Sequence, residues 1–206
     1  VTNGNSAVSI NGEPYKAYKL FDVTYQNPES NPNTVYGNDA APHAYTLSTT
    51  STFYTTSDAK SIIEEYFTLT AIEGDTTKVV VTPKLVADGN GKNPGETGYV
   101  ETTHFTATEA YELAQKLNPY LPATPNASAV AANETVTIDV SNNGDAGYYL
   151  VTGTGKAYAE GDTTGTATGD TVTAAVALTT TDPKAEIIAK VDGVSVEKEI
   201  DEGTNE

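Results

Sequence analysis

Apolar and polar residues alternate along most of this chain, and turn residues interrupt the alternation at short intervals. Residues 15–25 read YKAYKLFDVTY. They predict a long strand with Ala17, Lys19, Phe21 and Val23 on one face and Tyr18, Leu20 and Asp22 on the other. Runs at 7–10, 44–54, 68–72, 77–86, 99–105, 135–140, 148–152, 172–179 and 185–191 predict further strands. Those at 68–72 and 77–86 flank a Gly74-Asp75 turn. Those at 135–140 and 148–152 predict a hairpin around Asn142-Asn143-Gly144-Asp145. The period becomes helical twice. Ala59, Ile62, Ile63 and Tyr66 mark a helix over 58–67 behind a Ser57 cap. Ala110, Leu113, Ala114 and Leu117 mark a second, opened by Thr106 and Glu109 at capping-box spacing and ended by Asn118-Pro119. Loops are predicted at 26–43, with three prolines and four asparagines, at 88–98, rich in Gly and Asn, and at 153–171, rich in Gly and Thr and expected to be mobile. The sum is a mainly β chain of about eight to ten strands with two short inserted helices, a base suited to a sandwich.

Composition narrows the function. The 206 residues suit one large domain, or one domain with a piece of a second. Acidic residues number 28 against 11 basic ones, all lysine, for a formal charge of −17. Such a surface repels polyanions, which argues against nucleic-acid partners. No run approaches the roughly 20 apolar residues of a spanning helix, so this segment is not expected to cross a membrane. Cys, Met and Trp are absent, which removes thiol catalysis, disulfides and zinc–thiolate sites.

Catalytic and metal signals are sparse. His43 falls in the Pro/Asn loop and His104 in a predicted strand, with no G-x-S-x-G elbow and no H-E-x-x-H motif to recruit either. Glu64 with Glu65, and Glu109 with Glu112, are carboxylate pairs of the kind used in glycoside hydrolysis, but they sit where solvated helix faces are expected. The loop from Asp88 to Asn93 imitates a calcium loop, but Lys92 and Tyr99 occupy ligand positions. No catalytic residue, metal or cofactor is predicted. Leu121-Pro-Ala-Thr-Pro125 imitates a sortase sorting signal, with Pro125 in place of the required glycine, and is read as a helix-exit loop.

Three segments in order carry a resemblance. They are Gly12-Glu-Pro-Tyr-Lys-Ala-Tyr-Lys-Leu-Phe-Asp-Val-Thr24, then Gly147-Tyr-Tyr-Leu-Val151, then Leu178-Thr-Thr-Thr-Asp-Pro-Lys-Ala-Glu-Ile187 followed by Val194-Ser-Val-Glu-Lys-Glu-Ile200. This order resembles the N-terminal domain of the sortase-assembled major (backbone) pilins of Gram-positive bacteria. The resemblance implies an immunoglobulin-like β-sandwich over 1–191. It implies that 192–206 is a linker and the start of a following domain, expected to be disordered, with Lys198 unpaired.

What the resemblance further implies is a non-enzymatic shaft subunit of an extracellular, cell-wall-anchored pilus. Its partners would be neighbouring pilin subunits and a pilus-specific sortase. Relatives of this kind often form an internal Lys–Asn or Lys–Asp isopeptide bond. A buried lysine loses its charge by desolvation and attacks a carboxyl or carboxamide carbon, while a nearby acid moves the protons. Lys19 and Asp182 are the implied partners, and the acid that usually follows the Gly-x-Tyr-x-Leu strand is missing. Lys84, in Val79-Val-Val-Thr-Pro-Lys84, is the nearest match to the lysine that a sortase joins to the next subunit, and Lys92 is a second candidate. The alternative function is a surface adhesin domain that binds a host or glycan ligand, and a third is a carbohydrate-active enzyme.

Overall fold

A computed structural model describes residues 2–3, 8–25, 43–140, 147–154, 156–157, 172–178 and 188–189. The strands are β1 (Thr2–Asn3), β2 (Val8–Ser9), β3 (Pro14–Tyr25), β4 (His43–Ser48), β5 (Phe67–Ile72), β6 (Asp75–Pro83), β7 (Ala127–Val130), β8 (Gly147–Gly153), β9 (Lys156–Ala157), β10 (Val172–Leu178) and β11 (Ile188–Ala189). The helices are α1 (Thr52–Thr55), α2 (Ser57–Tyr66) and α3 (Ala107–Leu117), followed by a 3-10 turn at Asn118–Tyr120. The chain is therefore mainly antiparallel β-sheet with a few short helices.

Seven strands form one sheet in the order β10-β8-β3-β4-β6-β5, with β7 also pairing β3. Strand β3 is its axis. It pairs β8 along one edge from Tyr15 to Asp22. Its other edge pairs β7 from Pro14 to Ala17 and β4 from Asp22 to Tyr25. Two short ladders lie outside this sheet: β2 with β9, antiparallel, and β1 with β11, parallel.

Each face of the sheet carries an apolar cluster. On one face Tyr18, Leu20, Phe21, Leu47, Val79, Val81 and Leu150 meet Phe53 of α1, Ile63 of α2 and Leu113 and Leu117 of α3. The helices are thus a roof over the sheet, and the helical stripes read from the sequence are the faces that pack down. Aromatic rings knit this layer: Phe21 meets Phe67 edge-on at 5.2 Å, and Phe105 lies 5.5 Å from Tyr148. On the other face Ile10, Tyr15, Ala17, Ala131, Val136, Val140, Tyr149 and Val151 form the second cluster.

The predicted face of β3 requires correction. Lys19 pairs Tyr149 and the next partner pair is Phe21 with Tyr148, so Leu20 is an extra residue. This bulge shifts the strand's phase by one residue. Phe21 leaves the face of Ala17 and joins Tyr18 and Leu20 in the helix-side cluster.

Other expectations shift for local reasons. The strand expected over 44–54 ends at Ser48, because the Ser51 hydroxyl accepts from the Phe53 amide and starts α1. The cap of α2 is Thr56, without a side-chain cap bond, and Ser57 is its first residue. Residues 99–105 make no strand and contribute one bridge, Leu85 to Thr103. Residues 135–140 are likewise irregular. The predicted hairpin with 148–152 is replaced by pairing of β8 with β3 and β10. His43 lies in β4 rather than in the preceding loop. The capping box of α3 forms as expected, with Thr106 and Glu109 bonded reciprocally.

Candidate functional site

Among the described residues, the bulge in β3 is where a sequence-predicted site residue meets a carboxylate that the sequence did not place beside it. In an unbroken strand, residues three apart point to opposite faces. The extra Leu20 brings Asp22 to the side of Lys19, and the Lys19 Nζ donates to Asp22 Oδ1 at 3.0 Å. The Lys19 side chain is only 14% exposed, against 39% for Asp22, so the amine stem is sunk while its carboxylate partner reaches solvent. Lys19 Nζ also stands 5.7 Å from the centre of the Tyr149 ring.

Gly147 makes room for this arrangement. A Cβ at that position would sit 2.7 Å from the Phe21 carbonyl oxygen and 2.9 Å from Lys19 Cε. The glycine that opens β8 is therefore required chiefly by the Phe21 main-chain carbonyl, which cannot move aside, and it also leaves room for the lysine stem. Sequence reasoning named Lys19 and missed Asp22, since strict alternation places the two on opposite faces. The remaining expected partner, Asp182, lies outside the described residues, as does Lys198.

Lys84 and Lys92 are both engaged by main-chain oxygens. The Lys84 Nζ donates to the Glu64 carbonyl at the C-terminal end of α2, where helix carbonyls lack helical partners. Its backbone is fixed as well, by the bond from its amide to the Tyr66 carbonyl at 2.9 Å. Lys92 donates to the Thr97 carbonyl at 2.5 Å, inside the 88–98 loop.

That loop is organised by Asp88, a buried carboxylate. Its Oδ1 accepts from the amides of Asn90 and Lys92, each at 2.9 Å, and its Oδ2 accepts from the Val100 amide at 3.1 Å. These amides hold the Asp88 carboxyl below its ordinary range. The carboxylate that suggested a calcium loop thus closes the loop on its own backbone. Among the described residues, no group of three or more His, Asp and Glu is placed to hold a metal ion.

The carboxylates noted on the helices also have partners. Glu65 accepts from Lys116 Nζ at 2.5 Å, and Glu64 lies 3.8 Å from Lys60. Glu112 accepts from the Tyr66 hydroxyl at 3.4 Å. His104 stacks on the Tyr66 ring at 4.9 Å and pairs with Glu109 through Nδ1.

Glu109 is doubly used, because its other oxygen accepts from the Thr106 amide at 2.6 Å. Burial raises its pKa, but the Thr106 amide and hydroxyl and the neighbouring His104 outweigh this and hold it below the ordinary glutamate value. A depressed carboxylate stabilises the fold above its unfolded pKa and ceases to do so as pH falls through the folded value. Glu109→Gln is therefore expected to cost about 1 kcal/mol near neutrality. The difference from the parent should shrink as pH falls through the parent glutamate's lowered pKa, where that group is itself protonated. Thermal unfolding followed over an acid pH series checks this.

No family model, no curated protein and no solved structure matches this chain. Among the described residues, no helix is long and apolar enough to cross a membrane.

Proposed function

We propose that this chain is the N-terminal domain of a sortase-assembled major pilin, a non-enzymatic subunit of a covalent cell-surface shaft with an immunoglobulin-like β-sandwich. One observation carries the reading. The first two segments of the resemblance hold most of β3 and β8, which pair with each other from Ala17–Val151 to Asp22–Gly147. The third meets the sheet at its first residue, Leu178, which ends β10 and pairs Gly147, and its other residues lie outside the described ones. A second apolar cluster on the far face of the sheet suits a sandwich. The strong negative charge keeps an extracellular polymer solvated.

Within this reading, Lys19 forms an amide with Asp182 and one water leaves. Asp22, 3.0 Å from the Lys19 amine, takes the proton that the attacking nitrogen sheds and returns it to the departing oxygen. It fills the role of the acid that is missing after the Gly147-Tyr-Tyr-Leu150 run. Lys84 is the proposed acceptor for the sortase, and its release from the Glu64 carbonyl precedes joining.

Intact mass tests the internal bond. The expected mass is one water below that of the sequence, returning to the full value in Lys19→Ala. Asp22→Asn should slow or abolish the loss, and an undiminished parent mass would remove the bond. Peptide mapping of shaft material tests the acceptor, through a branched peptide at Lys84.

A further inference from the structure

The seven-stranded sheet ends at β5, whose one neighbour among the described strands is β6. Antiparallel ladders alternate between residue pairs that exchange two hydrogen bonds and pairs that exchange none. Two observations fix the phase here. Pro83, opposite Phe67, has no N–H to give, and the Lys84 amide donates to the Tyr66 carbonyl at 2.9 Å. Phe67 and Pro83 are thus a non-bonded pair, and the bonded pairs are Thr68 with Thr82 and Thr70 with Val80. The main-chain groups of Phe67, Leu69 and Ala71 therefore point away from β6. The Phe67 amide is used by the Ile63 carbonyl of α2. Among the described residues, nothing pairs the amides of Leu69 and Ala71 or the outward carbonyls of Phe67, Leu69 and Ala71.

Exposed strand edges are ordinarily blunted by a charge, a proline, a bulge or a covering segment. From Phe67 to Ala71 this edge carries no charge and no proline, and its register shift comes only after Ala71. Its two sides are also sorted. Phe67 and Leu69 belong to the helix-side cluster, while Thr68 and Thr70 are exposed on the other side.

We propose that this edge pairs with the same edge of a second copy of the chain, antiparallel and about a two-fold axis perpendicular to the sheet. Such an axis keeps helix side beside helix side, so apolar residues meet apolar ones and threonines meet threonines. Centred on Leu69 or on Thr70, the pairing gives each of the four free amides a carbonyl of the other copy. A foreign peptide would first have to be ordered along its length, whereas the edge of a second copy is already extended. The strand itself is uncharged, so the formal −17 of each copy acts across the whole surface rather than at the contact. That repulsion reaches about 10 Å at 0.1 M salt and about 3 Å at 1 M. Salt therefore strengthens the pairing, opposite to an interface built on ion pairs. A single strand pair is small against the roughly 1,200 Å² of a stable interface, so the dimer forms at high protein concentration. The inference uses the sheet alone and stands independently of the pilus reading.

Sedimentation equilibrium of the full chain, up to roughly millimolar concentration and in low and high sodium chloride, tests the pairing. The expected result is a monomer–dimer equilibrium that moves toward dimer with salt. Backbone hydrogen exchange at Leu69 and Ala71 should slow as protein concentration rises, while Thr68 and Thr70, bonded to β6, stay unchanged. Ala71→Pro removes an outward donor and no bond to β6, and should weaken association roughly tenfold or more. Thr70→Lys and Thr70→Glu keep every main-chain bond. Each should weaken the dimer, and their equimolar mixture should restore it. These charged variants decide the matter should the proline variant fail to fold. A monomer under all conditions overturns the proposal, as does a dimer that Ala71→Pro and the Thr70 charges leave intact. Slow exchange of Leu69 and Ala71 in dilute monomer also overturns it, because the edge would then be covered from within the chain.

Discussion

Gly153→Ala is expected to be strongly destabilising, the most so of the Gly→Ala changes among the described residues. Gly153 pairs Tyr15 across β3 and β8, and a Cβ there would overlap the Tyr15 ring, with Cζ 2.6 Å away. The ring cannot swing clear. Tyr15 is 1% exposed and is packed among Ile10, Ala17 and Tyr149. Burial beside Glu13 and Glu134 pushes its hydroxyl pKa up to about 12, as expected for a phenol deep in an apolar, acid-lined site. Overpacking of this kind costs about 2–3 kcal/mol or more. Two comparisons isolate the cause. Gly89→Ala, where a Cβ meets nothing within 4 Å, should be close to neutral. Tyr15→Leu should be destabilising alone but should recover part of the loss when combined with Gly153→Ala. Denaturant unfolding of the parent, the two single variants and their combination provides the cycle, with Gly89→Ala as the control. Equal costs for Gly153→Ala and Gly89→Ala would show that the ring does not rest on the glycine.

Leu113→Ala is the second large effect. Leu113 is fully buried on α3 and belongs to the cluster shared with Leu150, Ile63 and Phe21. Truncation removes apolar contact and leaves a cavity that helix and sheet can close only in part, at about 3 kcal/mol. For a chain of this size that corresponds to a fall in melting temperature of about 6–12 °C. Tyr111, on the same helix but 56% exposed, serves as the control, and Tyr111→Ala should stay within about 0.5 kcal/mol. The pair of measurements separates a helix that roofs the core from one that merely rests on the surface. Similar small losses for both residues would contradict the packing described here.

The two helices and the long strand were legible because their signals are local. Apolar residues at i, i+3, i+4 and i+7 need only the helix itself, and the Thr106–Glu109 box closes over four residues. The phase change in β3 was not legible. Nothing in Lys19-Leu20-Phe21 marks a bulge, which arises because Tyr148 and Phe21 must both face the helices while Lys19 and Tyr149 remain on the other side. The candidate site inherits that blindness, since Asp22 reaches Lys19 only through the bulge. Residues 99–105 and 135–140 carry strand-like alternation, yet one is tied to the backbone around Leu85 and Asp88 and the other covers the second cluster. Alternation shows that one side is buried, not that a neighbouring strand exists. His104 read as an ordinary structural histidine, and its stacking on Tyr66 and pairing with Glu109 give it structural partners.

The central claim is that this domain is a link in a covalent shaft. Cell-wall extract from the source organism, boiled in denaturant and resolved on a gel, tests it most directly with an antibody to this domain. The account predicts a ladder of very large species that survives boiling and reductant, because the links are amides and the chain holds no cysteine. A single band at the mass of one wall-anchored subunit would contradict the shaft and favour an adhesin domain instead.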